Sequence, residues 1–312
     1  MQDVRLYLLP ERPGMDHSTI GTICALSAAL VWAFAMILFK LSGENVPPLA
    51  LNLFKNTIAM ILLAATLAAI GQGFDEISAF PASDIWILIL SGLIGITLAD
   101  TIFFYSLNLC GVGITSLVDC LYSPFIILFS FLLLAEELTG LQYFGAGLIL
   151  LAVAITSGNE PPRGRTRGQL LAGIGLGVLN MALMGYGIVL AKPVLEHFPI
   201  VWATAIRMAA GTVALALIIL ALPGRRALFA VFKPSRSWKV SIPGSVLGAY
   251  LACVLWIGGF KFSDASVASI LNQSSSIFAL VLAALLLKEK FTLRKLYAVI
   301  IAMGGILLVT LG

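Results

Sequence analysis

The sequence predicts an all-α polytopic membrane protein, with ten transmembrane helices arranged as two inverted five-helix repeats. Three observations carry that prediction. The chain is 60% hydrophobic and only 11% charged, with a mean hydropathy of +1.04, whereas soluble domains are about 45–50% apolar and about 25% charged. Apolar runs long enough to cross a bilayer core, which takes roughly 20 residues of helix, recur along the whole chain. Residues 107–139 return at 260–292 with a shift of 153 and no gap, so that Ser116/Ser269, Ser123/Ser276, Phe125/Phe278, Glu136/Glu289 and Thr139/Thr292 coincide.

In chain order, residues 1–19 form a tail too charged and proline-broken for a signal peptide, so the first apolar run is expected to act as the insertion signal. The first repeat, 20–157, holds runs at 20–41, 47–71, 84–107, 111–134 and 141–157, the last of them short. A linker at 158–167, rich in proline, glycine and arginine, leads to the second repeat, 168–312, with runs at 168–192, 199–222, 238–260, 263–287 and 291–311. Most connections hold a few residues, which makes successive helices antiparallel neighbours; only 72–83, 158–167 and 223–237 have room for more. The front of each half matches with a shift of 152, pairing Gly21/Gly173, Lys40/Lys192, Glu44/Glu196, Pro47/Pro199 and Lys55/Arg207. A five-helix module ends on the side opposite its start, so a copy that follows directly is inserted upside down. That is the architecture of secondary transporters, whose site lies near the midplane between the repeats.

Composition also excludes functions. The net charge of +4 is spread over connections and does not point to nucleic acid. Cys24, Cys110, Cys120 and Cys253 lie in or beside apolar runs without CxxC or Cys/His spacing, so they read as small hydrophobes, and neither a metal nor a cofactor is expected. His17 and His197, in the tail and a connection, receive no catalytic role. No P-loop or redox motif is present, which argues against ATP-driven transport by this chain alone.

Charged side chains in mid-helix cost about 2.5–3.5 kcal/mol each on insertion scales, and by default face a cavity or a partner. Four candidates stand out: Lys55, Asp100, Asp119 and Arg207. Counted from the helix ends, Lys55, Asp100 and Asp119 share a layer roughly 10–13 Å below one face, so Lys55 can pair with either acid. Arg207 sits at matching depth from the other face, where Cys253 and Asn272 replace the two acids. The functional reading gives Arg207, with Lys55, an anionic group of the substrate, and gives Asp119 or Asp100 an ammonium or a proton. The structural alternative is an internal ion pair. Helical spacing adds Asn52 and Asn56 beside Lys55, Ser116 and Ser123 beside Asp119, and Ser269, Gln273 and Ser276 beside Asn272. Such stripes line a cavity or hydrogen-bond helices together. Trp32, Tyr105, Tyr122, Tyr186, Tyr250 and Trp256 are candidates for an aromatic wall, or for packing and interfacial anchoring. Glu136 and Glu289, at the turns before the fifth and tenth runs, are expected to cap or charge the start of the helix that follows them and not to bind substrate.

These residues resemble the drug/metabolite transporter superfamily in its ten-helix, EamA-type form. In the first half the resemblance rests on Trp32, Lys40, Pro47, Lys55, TLADTIFFYSLNLCG, Ser123-Pro124 and AEELTGLQYFGAGLILLAV. In the second it rests on Lys192, Pro199, Arg207, LACVLWIGGFKFSDASVASILNQSSSIF and LLLKEKFTLRKLYAVIIAMGGILL. Two positions depart from the family pattern. Lys55 stands where arginine is usual, a point charge in place of a planar fork. Ile277 stands where proline is usual, which implies a straighter ninth helix.

The resemblance implies a transporter rather than an enzyme. The expected function is a secondary transporter or facilitator of a small polar or amphipathic metabolite, an amino acid or relative, by export through alternating access. The expected substrate is zwitterionic or anionic, its residues Lys55, Asp119, Arg207, Asn272, Gln273, Ser123, Ser276, Trp32 and Tyr122, with Asp100 and Asp119 as coupling or ion-pair acids. The alternatives are an intramembrane enzyme or lipid-handling protein using Asp119, and a non-transporting scaffold. The expected setting is the lipid bilayer of the plasma membrane, bacterial inner membrane included, as a monomer or weak homodimer without nucleic acid. Most Lys and Arg of the connections fall on the face opposite the termini, which favours both termini outside. The resemblance implies cytoplasmic termini.

Overall fold

The computed structural model describes residues 17–73, 77–78, 80–134, 139–157, 162, 164–262, 265–290 and 292–311, and among them there are helices and no strands. The tail 1–16, Glu136 and part of the 158–167 linker lie outside the described residues. In the first half, α1 is His17–Ser42 and α2 is Pro48–Ala69, whose first residue is a proline already set at helical φ. Helix α3 joins Ala82–Gly92, a π-helical segment Leu93–Ala99 and Asp100–Cys110. It stops at Gly111, whose φ of 76° suits a residue without Cβ.

Helix α4 joins Val112–Val118, a 3₁₀ turn Asp119–Leu121 and Tyr122–Leu134, and α5 is Gly140–Ser157. In the second half, α6 is Arg167–Leu195, opened by a capping box of Thr166 and Gln169. Helix α7 is Ile200–Ala221, and a short helix Arg225–Phe229 with a 3₁₀ turn Ala230–Phe232 follows it. Helix α8 joins Trp238–Gly244, a π-helical segment Ser245–Ala252 and Cys253–Phe262; α9 is Ala265–Leu286 and α10 Leu293–Leu311.

Among the described residues seven helices are long and apolar enough to cross a membrane, namely α1 to α4 and α6 to α8. Shorter apolar stretches lie at Gly140–Ile155 and Leu271–Leu286. Large side chains left exposed, such as Leu132, Leu150, Leu217, Leu285 and Ile300, are what a helix bundle facing lipid presents.

The packing repeats as the sequence does. Exchanging α1 with α6, α2 with α7, α3 with α8, α4 with α9 and α5 with α10 maps the main contacts onto themselves. Thus α1 packs on α8 and α9 as α6 packs on α3 and α4, while α2–α7, α4–α9 and α5–α10 are pairs between equivalents. The π-segments also correspond, because Leu93–Ala99 shifted by 153 falls inside Ser245–Ala252.

Close crossings depend on glycine. A Cβ at Gly92 would run into the backbone oxygen of Arg207, and one at Gly211 would lie 2.6 Å from Ile96 Cγ2. Since the obstacle at Gly92 is backbone, α3 and α7 would have to separate. Gly92→Ala is therefore expected to destabilise the protein by about 1–3 kcal/mol, the range of overpacked cores, read as a lower melting temperature in detergent. An unchanged melting curve would mean that the crossing is looser than described.

Candidate functional site

Local backbone chemistry sets the first functional side chain. Pro124 has no N–H, so the carbonyl four residues back, at Cys120, loses its helical donor, and the chain tightens into the 3₁₀ turn Asp119–Leu121 just before it. Asp119 opens that turn. The repeat-equivalent position holds Ile277, and α9 runs through it as uninterrupted α-helix.

The π-segment of α3 sets the next group. A π-turn is wider than an α-turn and exposes carbonyls to outside donors. Asn52 Nδ2 donates to Ile96 O at 2.9 Å and to Thr101 Oγ1 at 2.8 Å, while Thr97 Oγ1 donates to Gly211 O at 2.9 Å. Asn56 Nδ2 donates to Asn52 Oδ1 at 3.0 Å, and Lys55 Nζ reaches Asn56 Oδ1 and Asp100 Oδ2, both at 2.6 Å. Asp100 follows the π-segment directly, which brings its carboxylate to Lys55. The polar stripe of α2 is thus a closed chain that ends in an ion pair.

Arg207 differs. It is 4% exposed, its guanidinium carbon lies 5.9 Å from the centre of the Trp256 ring, and its Nε has no hydrogen-bond partner among the described residues. No carboxylate of the described residues forms an ion pair with it, whereas Lys55 pairs with Asp100, His197 with Asp84 and Lys295 with Glu289.

Arg207 faces a cavity of about 200 Å³ between the halves. Lys55, Asp100, Asp119, Tyr122 and Trp32 line it from the first half, and Arg207, Asn272, Gln273 and Trp256 from the second. Helices α5 and α10 supply no wall residue. Met181, Met184, Met208, Ile96, Phe103 and Ile257 make much of the surface apolar. Within this wall Asp119 Oδ1, Tyr122 Oη, Asn180 Oδ1, Arg207 Nε and Asn272 Nδ2 are buried without a partner among the described residues. Each such group costs about 1–3 kcal/mol, and native structures leave few of them. Their convergence on one hollow between the repeats is the chemical signature of a site that expects a polar guest.

Two sequence candidates stand outside the wall. Ser123 accepts from Gln273 Nε2 at 3.2 Å, and Ser276 donates to Ser116 O at 2.7 Å, so both hydrogen-bond α4 to α9. Of the six aromatic candidates, Trp32, Tyr122 and Trp256 line the cavity; Tyr105 is 42% exposed, Tyr186 meets Phe129 edge-on, and Tyr250 Oη lies 2.7 Å from Thr66 Oγ1.

The expectation for Glu289 is corrected. Its carboxylate accepts from Val112 N at 2.8 Å and Gly113 N at 3.0 Å, so it caps the start of α4, across the bundle, and in the helix that follows it meets the Lys295 side chain at 3.5 Å. It reaches this place because the 287–289 turn abuts Gly111 and Gly113, positions where a Cβ would meet Glu289 or Lys295. Sequence reasoning missed Asn180, Thr204 and the three methionines. Asn180 is the strongly polar residue inside the apolar middle of α6, the same signal that marks Asp119 and Asn272.

The family model described as "EamA-like transporter family" matches residues 19–158 and again 171–311. No curated protein matches the chain. A protein crystal structure aligns over 93% of this chain and 96% of its own at 20% identity, with a TM-score of 0.68, a likeness of fold.

Proposed function

Because the chain belongs to the EamA-like transporter family, with one copy of its repeat in each half, we propose that it is a secondary transporter or facilitator of a small amphipathic metabolite that bears an anionic group. In this reading ten membrane crossings form two inverted repeats, and the substrate sits in the cavity between them. The observation that carries the proposal is the set of unpartnered polar atoms around that cavity, led by Arg207 Nε and Asp119 Oδ1.

The substrate's carboxylate or comparable anion docks on Arg207, in a dry setting where a charged hydrogen bond is strong. Its ammonium or hydroxyl donates to Asp119, within reach of Asn272 and Tyr122. Its apolar part lies against Met181, Met184, Met208 and Trp256, thioether and aromatic surfaces that adapt to shape. Lys55 and Asp100 neutralise one another and hold α2 to α3, so the coupling acid of the pair considered is Asp119. Amino acids meet these requirements, and transport proceeds by alternating access, with export the expected direction.

Counterflow in liposomes with a panel of labelled amino acids tests this. At least one zwitterion with an apolar side chain is expected to exchange, and Asp119→Asn is expected to slow it about tenfold or more, the loss of one charged hydrogen bond worth about 1.5–3 kcal/mol. Ser123→Ala, outside the wall, leaves exchange near the wild-type rate. A panel without flux removes the amino-acid reading, and unchanged flux in Asp119→Asn removes that residue from the site.

A further inference from the structure

Opposite ends of the bundle carry opposite charge at the same place in each repeat. The connection between α2 and α3 and the start of α3 hold Asp75, Glu76 and Asp84, and no Lys or Arg occurs anywhere from 56 to 162. Its counterpart between α7 and α8 holds Arg225, Arg226, Lys233, Arg236 and Lys239, and no Asp or Glu occurs from 197 to 263. Helix α3 separates the two. Asp84 lies in its first turn and pairs with His197 at 2.9 Å. At its far end Lys40 Nζ donates to Leu107 O and Asn108 O, and in the same helix end of α1 Ser42 meets Ser241 of α8 at 2.5 Å. The acidic and basic connections therefore sit at opposite ends of a helix roughly 40 Å long.

The basic connection is an ordered platform. Leu228, Phe229 and Val231 pack against the buried clusters of α1, α2 and α7. The rings of Phe232 and Trp238 each lie 5.7 Å from Phe54, and the Trp238 indole N–H donates to Val231 O at 2.9 Å. With its apolar side turned inward, the segment leaves all five cations exposed. Helices α7 and α8, each long and apolar enough to cross a membrane, flank it, which puts those cations at the level of the lipid headgroups when the two helices span the bilayer.

We propose that residues 225–239 dock the headgroups of anionic phospholipids in the cytoplasmic leaflet, and that this contact holds the duplicated bundle in a single orientation, with the acidic connection and the ends of the chain on the other side. Basic segments beside membrane helices face the cytoplasm and are drawn to its anionic lipids. Two halves alike in packing would otherwise insert either way up. This assignment is independent of what the cavity binds.

The full-length protein in phosphatidylcholine vesicles with spin-labelled phosphatidylglycerol or spin-labelled phosphatidylcholine tests it. Immobilised label should favour phosphatidylglycerol by about fivefold or more, fivefold being the yield of one cation engaged at an anionic surface, and the preference should weaken with salt. Changing the five cations to glutamine should abolish the preference, whereas Arg225→Lys with Arg236→Lys should keep it. In cells, Ser235→Cys should add no labelling by an impermeant maleimide until the membrane is opened. Equal retention of both lipids by the wild-type chain, a preference that survives the five-fold glutamine change, or added labelling of Ser235→Cys in intact cells would each overturn the proposal.

Discussion

Arg207→Met is expected to weaken substrate binding by about 30-fold or more while raising the melting temperature. Arg207 is a buried cation without an ion-pair partner among the described residues, and its Nε is unsatisfied. Holding such a charge out of water costs several kcal/mol, and an apolar residue of similar volume commonly recovers about 1–4 kcal/mol. Methionine has the length to lie against Trp256 and the neighbouring methionines of the wall. The same change removes the group proposed to meet the substrate's anion, and truncating one side of a buried charged contact costs about 2–5 kcal/mol, roughly a 30- to several-thousand-fold loss of affinity. Calorimetric titration with the substrate found by counterflow, together with a thermal melt, reads both effects. A variant that binds normally, or one that loses stability and affinity together, would place Arg207 among structural residues instead.

Glu289→Ala is expected to have the largest effect on stability, a loss of about 2–4 kcal/mol, because it leaves two backbone donors and a buried cation without their shared acceptor. Three donors share that carboxylate: the N–H groups of Val112 and Gly113, and Lys295 Nζ at 3.5 Å. Lys295 is 6% exposed, so without Glu289 it becomes a stranded charge. Glu289→Gln keeps an acceptor for the backbone and should lose less, and Lys295→Met added to Glu289→Gln should recover part of the difference. Hydrogen exchange at 111–115 and 287–295 should rise together in the alanine variant. If only the 287–295 turn loosens, the cap on α4 contributes little.

Much of this site was legible in the sequence, and the reason is energetic. A strongly polar side chain inside an apolar run is too costly to face lipid, so Lys55, Asp119, Arg207 and Asn272 announced themselves, and depth counting left Lys55 within reach of Asp100, where the structure pairs it. What remained illegible depends on neighbours. Helical spacing puts Ser123 and Ser276 on the same stripes as Asp119 and Asn272, yet a stripe is wide enough to touch both a cavity and an adjacent helix, and these two serines touch the helix. The π-segments carry no local sequence mark, because the extra residue in each turn is stabilised by groups elsewhere, such as Asn52 on Ile96 O. Glu289 was not given to the start of α4 because the N–H groups of Val112 and Gly113 that donate to it lie in the other half of the chain, and proximity in sequence says nothing of that.

The proline at 124 and the isoleucine at 277 stand at one position of the repeat, and only the first interrupts its helix. A perfectly doubled carrier is indifferent to which half takes which shape, so its inward and outward states are degenerate. Here one half has a joint where the other has a rod, and Asp100 faces a cysteine as its twin. Degeneracy is lifted, and every 1.4 kcal/mol of difference gives about a tenfold resting bias. On the proposed alternating-access reading, the unloaded chain is expected to rest on one side of the membrane, with half-cycles of unequal rate.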